Sequence, residues 1–323
     1  MTDGLMRFTK GAVREVIRTV RHGWNALTDA KPKLLVLAYH RVLPEAGFNP
    51  LETVIDERTF IKQLTVIARR YPIQALGAIM TRDLRDGRRG RPDVVLTFDD
   101  GYWDHHGFVL PVLKRLGLPA TFFVPTDYIG AEQPPWDWEL MRRLTDRRDV
   151  SLVMVGEERL KRRPGESPRR FAWRVVSRVK SASREIQTRV LEPLRPRATN
   201  GQPRMDRCMT WEEVRSLAKA GMEISSHAMS HRSLSRLAPR EASDEIRQSK
   251  ARIEHELQQP CRHFAFPFGS PRDYNDRLVV MVREAGYATC SLNIHGYTSL
   301  EEGFFTLKRI IMRPSSNPAT LLG

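Results

Sequence analysis

The sequence predicts an α/β fold whose strands pair in parallel around a buried core. Three observations predict it. Short apolar runs of strand length recur along the chain, stretches of helical length separate them, and the early runs end in polar or turn-forming residues, as at His40-Arg41, Asp99-Asp100-Gly101 and Pro125. Strands that alternate with helices pair in parallel, and a closed barrel and an open doubly wound sheet both satisfy that pattern. At 323 residues the chain accommodates one principal barrel-sized core with insertions.

In the opening segment Leu5, Phe8, Val13, Val16, Ile17, Val20, Trp24 and Leu27 recur at helical spacing, while Arg7, Lys10, Arg14, Arg18 and Arg21 fill the remaining arc. Residues 1–32 are therefore expected as a basic amphipathic helix, which either lies in an anionic lipid interface or packs on the barrel with its arginines solvated. After Pro32 the run from Leu34 to Tyr39 has the length and flanks of a buried strand and ends in His40-Arg41. A second run, Val94 to Phe98, ends in Asp99-Asp100-Gly101, and a third, Ala120 to Val124, ends in Pro125. Helical stretches over 57–70 and 106–116 separate these strands, with His105 and His106 read as the start of the second stretch.

From Gln133 to Arg207 the pattern turns irregular, with prolines, arginines and the scattered Trp136, Trp138 and Trp173. Residues 133–207 are read as an insertion that carries helical periodicity from Glu139 to Leu144 and from Arg169 to Leu191. It forms either a flap facing lipid or substrate or a solvated charged excursion. The formal net charge is +15, and the stretch from Arg142 to Arg207, with 19 Lys/Arg against 8 Asp/Glu, supplies +11 of it. Regular patterning resumes with a helix capped by Thr210 and Glu213 and stopped by Gly221. Then come a strand from Met222 to Ser226, a helix from Arg240 to Leu257, a strand from Phe264 to Phe266, a helix from Asn275 to Ala285 and late strands from Tyr287 to Leu292 and from Thr306 to Met312. The barrel thus comprises 33–132 and 208–314, followed by a tail at 315–323.

Composition narrows the function. Hydrophobic residues are 41% and charged residues 28%, and no run approaches the eighteen or so apolar residues of a membrane-spanning helix, so a soluble protein is expected. Cys208, Cys261 and Cys290 are widely spaced without a CxxC pair, which suggests neither a disulfide framework nor a thiolate zinc cage. The chain has no helix-turn-helix, zinc finger or aromatic RNA platform, so the basic charge implies no specific nucleic-acid partner. The first thirty residues lack the apolar core and cleavage site of a secretory signal. A cytoplasmic location is expected, with the two basic segments making peripheral contact with an anionic membrane at its inner face. Nothing in the sequence specifies an oligomeric state.

The chemistry concentrates in Thr97-Phe98-Asp99-Asp100-Gly101 and His227-Ala228-Met229-Ser230-His231. Two histidines four apart share one face of a helical turn, and a carboxylate from another strand end completes three ligands for one ion. Three protein ligands leave an open position for water, the arrangement of a catalytic metal site. Adjacent aspartates alone also serve turns and caps, and an isolated HxxxH also decorates surfaces; the conjunction is what points to a metal.

Together, TFDDG at 97–101, GLPATFFV at 117–124 and SHxxxH at 226–231 resemble the signature motifs of carbohydrate esterase family 4, the NodB homology group. The resemblance spans residues 34–132 and 208–312 and implies a distorted (β/α) barrel that removes N-acetyl groups from an amino sugar. It implies further that Asp100, His227 and His231 bind a divalent metal, usually zinc, with Asp99 as general base. Phe266-Pro267-Phe268-Gly269 is similar to the family's third motif and implies that the Phe268 amide donates to the developing oxyanion. Where many members carry an arginine two residues before that proline, this chain has Ala265, and Arg309 or Arg41 is expected to orient the base instead. The late LxH motif has no clean match, since Leu292-Asn293-Ile294-His295 is one residue too long. Leu37-Ala38-Tyr39-His40 instead resembles the LxYH of the branch that deacetylates poly-N-acetylglucosamine, which implies His40 as general acid. The expected substrate is an N-acetylated polysaccharide, oligosaccharide or lipid-linked glycan. The competing expectation, prompted by Ala265, is a degenerate member that binds glycan or anionic lipid without turnover.

Overall fold

The computed structural model describes residues 33–45, 47–81, 92–194, 206–299 and 303–321. The basic helix expected over 1–32 lies outside the described residues.

Strand β1 is Lys33–Tyr39, β2 Arg41–Leu43, β3 Val54–Asp56, β4 Ile73–Gln74, β5 Asp93–Phe98, β6 Thr121–Val124, β7 Leu152–Val155 and β8 Glu158–Lys161. They are followed by β9 Glu223–Ser226, β10 His263–Ala265, β11 Thr289–Ser291, β12 Thr298–Ser299 and β13 Arg309–Ile311. Seven parallel strands run β11-β10-β9-β6-β5-β1-β13, while β4 adds to β5 and β12 pairs antiparallel with the start of β1. The long β1–β5 register, from Leu34 opposite Asp93 to Tyr39 opposite Phe98, anchors the array. The two edges meet where Ser291 bridges Leu307 and the Leu292 N–H donates to the Leu307 carbonyl at 2.8 Å, nearly closing a barrel. Of the two architectures the strand–helix pattern allows, the chain adopts this one.

The period-two alternation of the strands sorts their side chains. Leu35, Leu37, Leu96 and Phe122 join the large core under the helices, while Val36, Val95, Phe123 and Ala265 form a smaller cluster drawn from strands on opposite sides of the barrel, hence its interior. The helices are set by local signals. Asp56 caps Glu57–Arg70 through Thr59 N–H at 2.9 Å; Thr210 and Glu213 form a reciprocal capping box on Trp211–Lys219; and Asn275 caps Asp276–Glu284. His105 and His106 do begin the next helical segment, as a π-helical turn, His105–Val109, that feeds the helix Leu110–Leu116. No helix among the described residues is long and apolar enough to cross a membrane.

The stretch expected to be irregular is more ordered than its sequence suggests. It holds the helices Trp136–Asp146, Pro168–Val179 and Arg184–Leu191 and the hairpin β7–β8. Their apolar faces, including Trp136, Leu140, Phe171, Val175, Val153 and Leu160, bury one another in a separate core. Single helical periodicity over 169–191 resolves into two helices because Ser183 starts a new one, accepting from the Ile186 N–H.

Candidate metal and hydrolytic site

Parallel strands deliver their C-terminal ends to one rim, the face on which barrel enzymes carry their sites. His40 follows β1, Asp99 and Asp100 follow β5, His227 and His231 follow β9, and Phe268 follows β10. Two positions are fixed by extensions of the strand ladder: the Asp99 N–H donates to the Tyr39 carbonyl and the His227 N–H to the Val124 carbonyl, each at 3.0 Å.

Asp100, His227 and His231 are buried and bring one ligand atom each within 4.8 Å of one another. Asp100 Oδ1 lies 3.4 Å from His227 Nε2 and 3.1 Å from His231 Nε2. The opposite ring nitrogens are engaged, His227 Nδ1 with the Ala265 carbonyl at 2.7 Å and His231 Nδ1 with Asp137 Oδ1 at 3.1 Å. That pairing leaves both Nε2 atoms facing the shared point, as in metal-ligating histidines whose other nitrogen donates to a carbonyl or carboxylate. One carboxylate oxygen and two imidazole nitrogens form a donor set suited to zinc or a similar divalent ion, and the residues fit such an ion.

The histidine pair is not presented by a helical turn, as its spacing suggested. Residues 227–231 form an irregular loop in which Ala228 (φ 60°) and His231 (φ 52°) are left-handed. The loop holds because the Glu245 carboxylate accepts from the Met229 and Ser230 N–H groups at 2.8 and 2.9 Å and from the Ser230 hydroxyl. Of the six non-glycine residues with positive φ among the described residues, four, Asp100, Ala228, His231 and Phe268, lie in this site. Such strain persists where surrounding bonds over-determine it and concentrates at functional sites. Glycine suits position 101: the backbone is left-handed at φ +65°, and an added Cβ would stand 2.9 Å from Ile129 Cδ1, which would have to shift.

Asp99, beside Asp100 in the chain, has a different partner. Arg309, on β13, grips it with two parallel bonds, Nη1 to Oδ1 at 2.8 Å and Nη2 to Oδ2 at 2.7 Å, both side chains fully buried. Nη2 also donates to Asn293 Oδ1 at 2.7 Å. Burial alone would raise the Asp99 carboxyl, but Arg309, aided by His227 and His40, overrides it and holds the group below its ordinary value. Of the two arginines considered for the base, Arg309 makes this contact. Arg41 instead binds Asp104, at 2.9 and 3.1 Å, with its guanidinium 4.5 Å from the Tyr102 ring and 4.9 Å from the Trp138 ring.

Burial likewise opposes ionisation of Asp100, yet His231 and His227 hold it well below the carboxylate range. Burial should depress His231, but Asp137 and Asp100 push it up to about 10. Three carboxylates around these rings therefore make the pocket a place that favours positive charge.

His40 is half-buried within electrostatic reach of both aspartates, and its Nδ1 is buried without a hydrogen-bond partner. Its carbonyl faces His105 Nε2 at 2.5 Å, which gives His105 a structural role. His295 is exposed and makes no part of the cluster. Phe268 sits at φ 62° with its carbonyl held by Asn293 Nδ2 at 2.8 Å and its ring against His231 and Trp136. The sequence assigns no site role to Asp137, Trp136, Glu245 or Asn293. Their types are ordinary for helices and loops, and only folding brings them here.

With this geometry in place, comparison with known proteins is informative. A family model described as polysaccharide deacetylase matches residues 86–152 and 182–290, more than half of the chain. The chain belongs to the polysaccharide deacetylase family and is thereby a carbohydrate deacetylase by class. Among individual proteins, Bacillus subtilis (strain 168) YxkH is 20% identical over 294 residues, covering 89% of this chain and 74% of YxkH. The Streptococcus pyogenes deacetylase PplD, solved in complex with acetate, superposes with a TM-score of 0.58 at 20% identity over 90% of this chain and 97% of PplD. IcaB from Ammonifex degensii gives 0.55 at 17% identity over 90% of this chain and 98% of IcaB. These likenesses establish the barrel fold.

Proposed function

We propose that this chain is a metal-dependent hydrolase that removes the N-acetyl group from an amino sugar in a polysaccharide, oligosaccharide or lipid-linked glycan. The carrying observation is the convergence of Asp100, His227 and His231 on one point beside an Asp99 carboxylate that Arg309 keeps ionised. When bound by the trio, a divalent ion, zinc in this reading, supplies a Lewis acid for the acetamide carbonyl and acidifies water.

The remaining roles fall to the chain's own groups. Asp99, anionic and oriented by the Arg309 fork, takes the proton of the attacking water as its oxygen bonds to the carbonyl carbon. The Phe268 N–H, in its left-handed turn at the rim, donates to the oxyanion that develops. His40 delivers a proton to the sugar nitrogen as the C–N bond breaks, so that acetate and a free amine leave. The Leu37-Ala38-Tyr39-His40 run that supplies this acid supports placing the chain near the poly-N-acetylglucosamine branch.

Ala265 had favoured a binding protein without turnover. The Arg309 pair weakens that reading, because the base has a guanidinium partner from another strand. Acetate release from N-acetylglucosamine oligomers, measured with and without chelator and beside Asp99→Asn, separates the two. Chelator-sensitive acetate that disappears in the variant is expected; no acetate from any N-acetylated glycan would favour binding.

Contact with an anionic membrane belongs to the same proposal and is supported by the outer face of the β7–β8 hairpin. Leu152 and Met154 are exposed there opposite Lys161 and Arg159, close in sequence to Arg162 and Arg163. Apolar side chains among cations suit an anionic lipid interface. Co-sedimentation with phosphatidylglycerol but not phosphatidylcholine vesicles, lost in Leu152→Ser/Met154→Ser, is expected; equal binding by the variant would exclude this face.

A further inference from the structure

The metal-binding trio is carried by the barrel, yet one of its rings is held from outside it. His227 takes its Nδ1 partner from the barrel's own Ala265 carbonyl. His231 takes it from Asp137, the second residue of the helix Trp136–Asp146, whose apolar side chains pack in a core separate from the barrel's. The neighbouring residue holds the same histidine by its backbone, since Trp136 Nε1 donates to the His231 carbonyl at 2.8 Å. Two consecutive residues of this helix therefore pin both the imidazole and the left-handed backbone of one ligand.

The helix is itself fixed to the rim. Trp138 covers the Arg41 guanidinium, and the Trp136 ring packs 6.1 Å from that of Phe268. From the C-cap of the helix Pro168–Val179, Lys180 reaches Asp273 at 2.6 Å and lies 4.1 Å over the Phe268 ring. Asp137 is thus held at a set distance from Nδ1 by packing on both sides. A carboxylate behind a ligating imidazole fixes its tautomer, so that Nε2 presents its lone pair, and makes that nitrogen a stronger donor.

We infer that Asp137 is a positioning residue for the metal site and that the separately packed unit carrying it is a built part of that site. This inference rests on the metal reading of the trio proposed above. An acidic residue in a helix's first turn also stabilises the helix by complementing its dipole, so the test must read the metal apart from the fold.

Metal-stripped protein is titrated with zinc against a chromophoric chelator, for wild type, Asp137→Asn and Asp137→Ala. Thermal unfolding of each stripped protein is measured alongside, and the cobalt-loaded forms are compared by visible absorption. Asp137→Ala is expected to weaken zinc binding by roughly 10- to 100-fold and to alter the cobalt spectrum. Asp137→Asn, which keeps an acceptor without the charge, is expected to fall between it and wild type, with stripped-protein unfolding little changed. Wild-type zinc affinity in a folded Asp137→Ala protein would overturn the inference while leaving the metal site intact. If the alanine variant fails to fold, wild-type affinity in the near-isosteric Asp137→Asn overturns it equally. Absence of zinc binding in the wild type would sink the metal reading and this inference with it.

Discussion

Replacing Arg309 with methionine removes the guanidinium from Asp99 while keeping most of the side-chain volume. Both partners are fully buried, and the lost contacts are two charge-assisted bonds of 2.8 and 2.7 Å, with the bond to Asn293 Oδ1 lost as well. Breaking a buried pair from one side leaves an uncompensated charge and costs about 3–5 kcal/mol. Against a domain stability of roughly 5–15 kcal/mol that is a large share, so the variant's urea midpoint, followed by tryptophan fluorescence, should fall markedly. Asp99→Asn/Arg309→Met removes both charges, and its loss should be smaller than the sum of the two single losses by about 0.5–3 kcal/mol. A catalytic signature accompanies the loss of stability. Once Arg309 no longer opposes burial, the Asp99 carboxyl rises, and the acid limb of the pH profile of kcat/KM moves to higher pH. An Arg309→Met protein with the wild-type urea midpoint and the wild-type acid limb would refute the reasoning.

Other outcomes follow from the same geometry. His40→Gln should lower kcat for acetate release by about 10²- to 10⁴-fold with unchanged zinc content, as loss of a proton donor requires; metal analysis beside kinetics checks both halves. Gly269→Ala places a Cβ 2.7 Å from the Asn293 backbone nitrogen at φ +59° and should cost about 1–3 kcal/mol in urea unfolding, with activity falling as the Phe268 turn shifts. His263, buried at the far end of the barrel beside Thr289, is held down by burial to about 4 despite Glu223. The folded state therefore binds fewer protons there than the unfolded chain. Stability should be undiminished above the ordinary histidine value of about 6.5 and fall by up to roughly 1.4 kcal/mol per pH unit as the pH drops from there toward 4. His263→Gln should flatten that slope in urea midpoints taken at pH 7.5, 6 and 5.

What was legible in the sequence follows from the range of the physics involved. Strand-length apolar runs disclosed the parallel strands because both faces of a barrel strand are buried, and the polar residues after β1, β5 and β9 disclosed the rim for the same reason. Thr210 with Glu213 announced its helix because a capping box is complete within four residues. The grip of Arg309 on Asp99 spans 210 positions and that of Asp137 on His231 spans 94, and no local pattern encodes either. The His227–His231 spacing fits a helical turn, yet Glu245 captures the amides a helix would use, and the loop becomes left-handed instead. The stretch from Gln133 to Arg207 reads as irregular because its core is assembled from three short helices and a hairpin whose apolar faces meet only in three dimensions.

Anomalous diffraction at the zinc edge, from crystals grown with the metal, tests the central claim most directly. The account predicts one strong peak at about 2.0–2.2 Å from Asp100 Oδ1, His227 Nε2 and His231 Nε2. A peak elsewhere on the chain, or none at these three side chains, would contradict it.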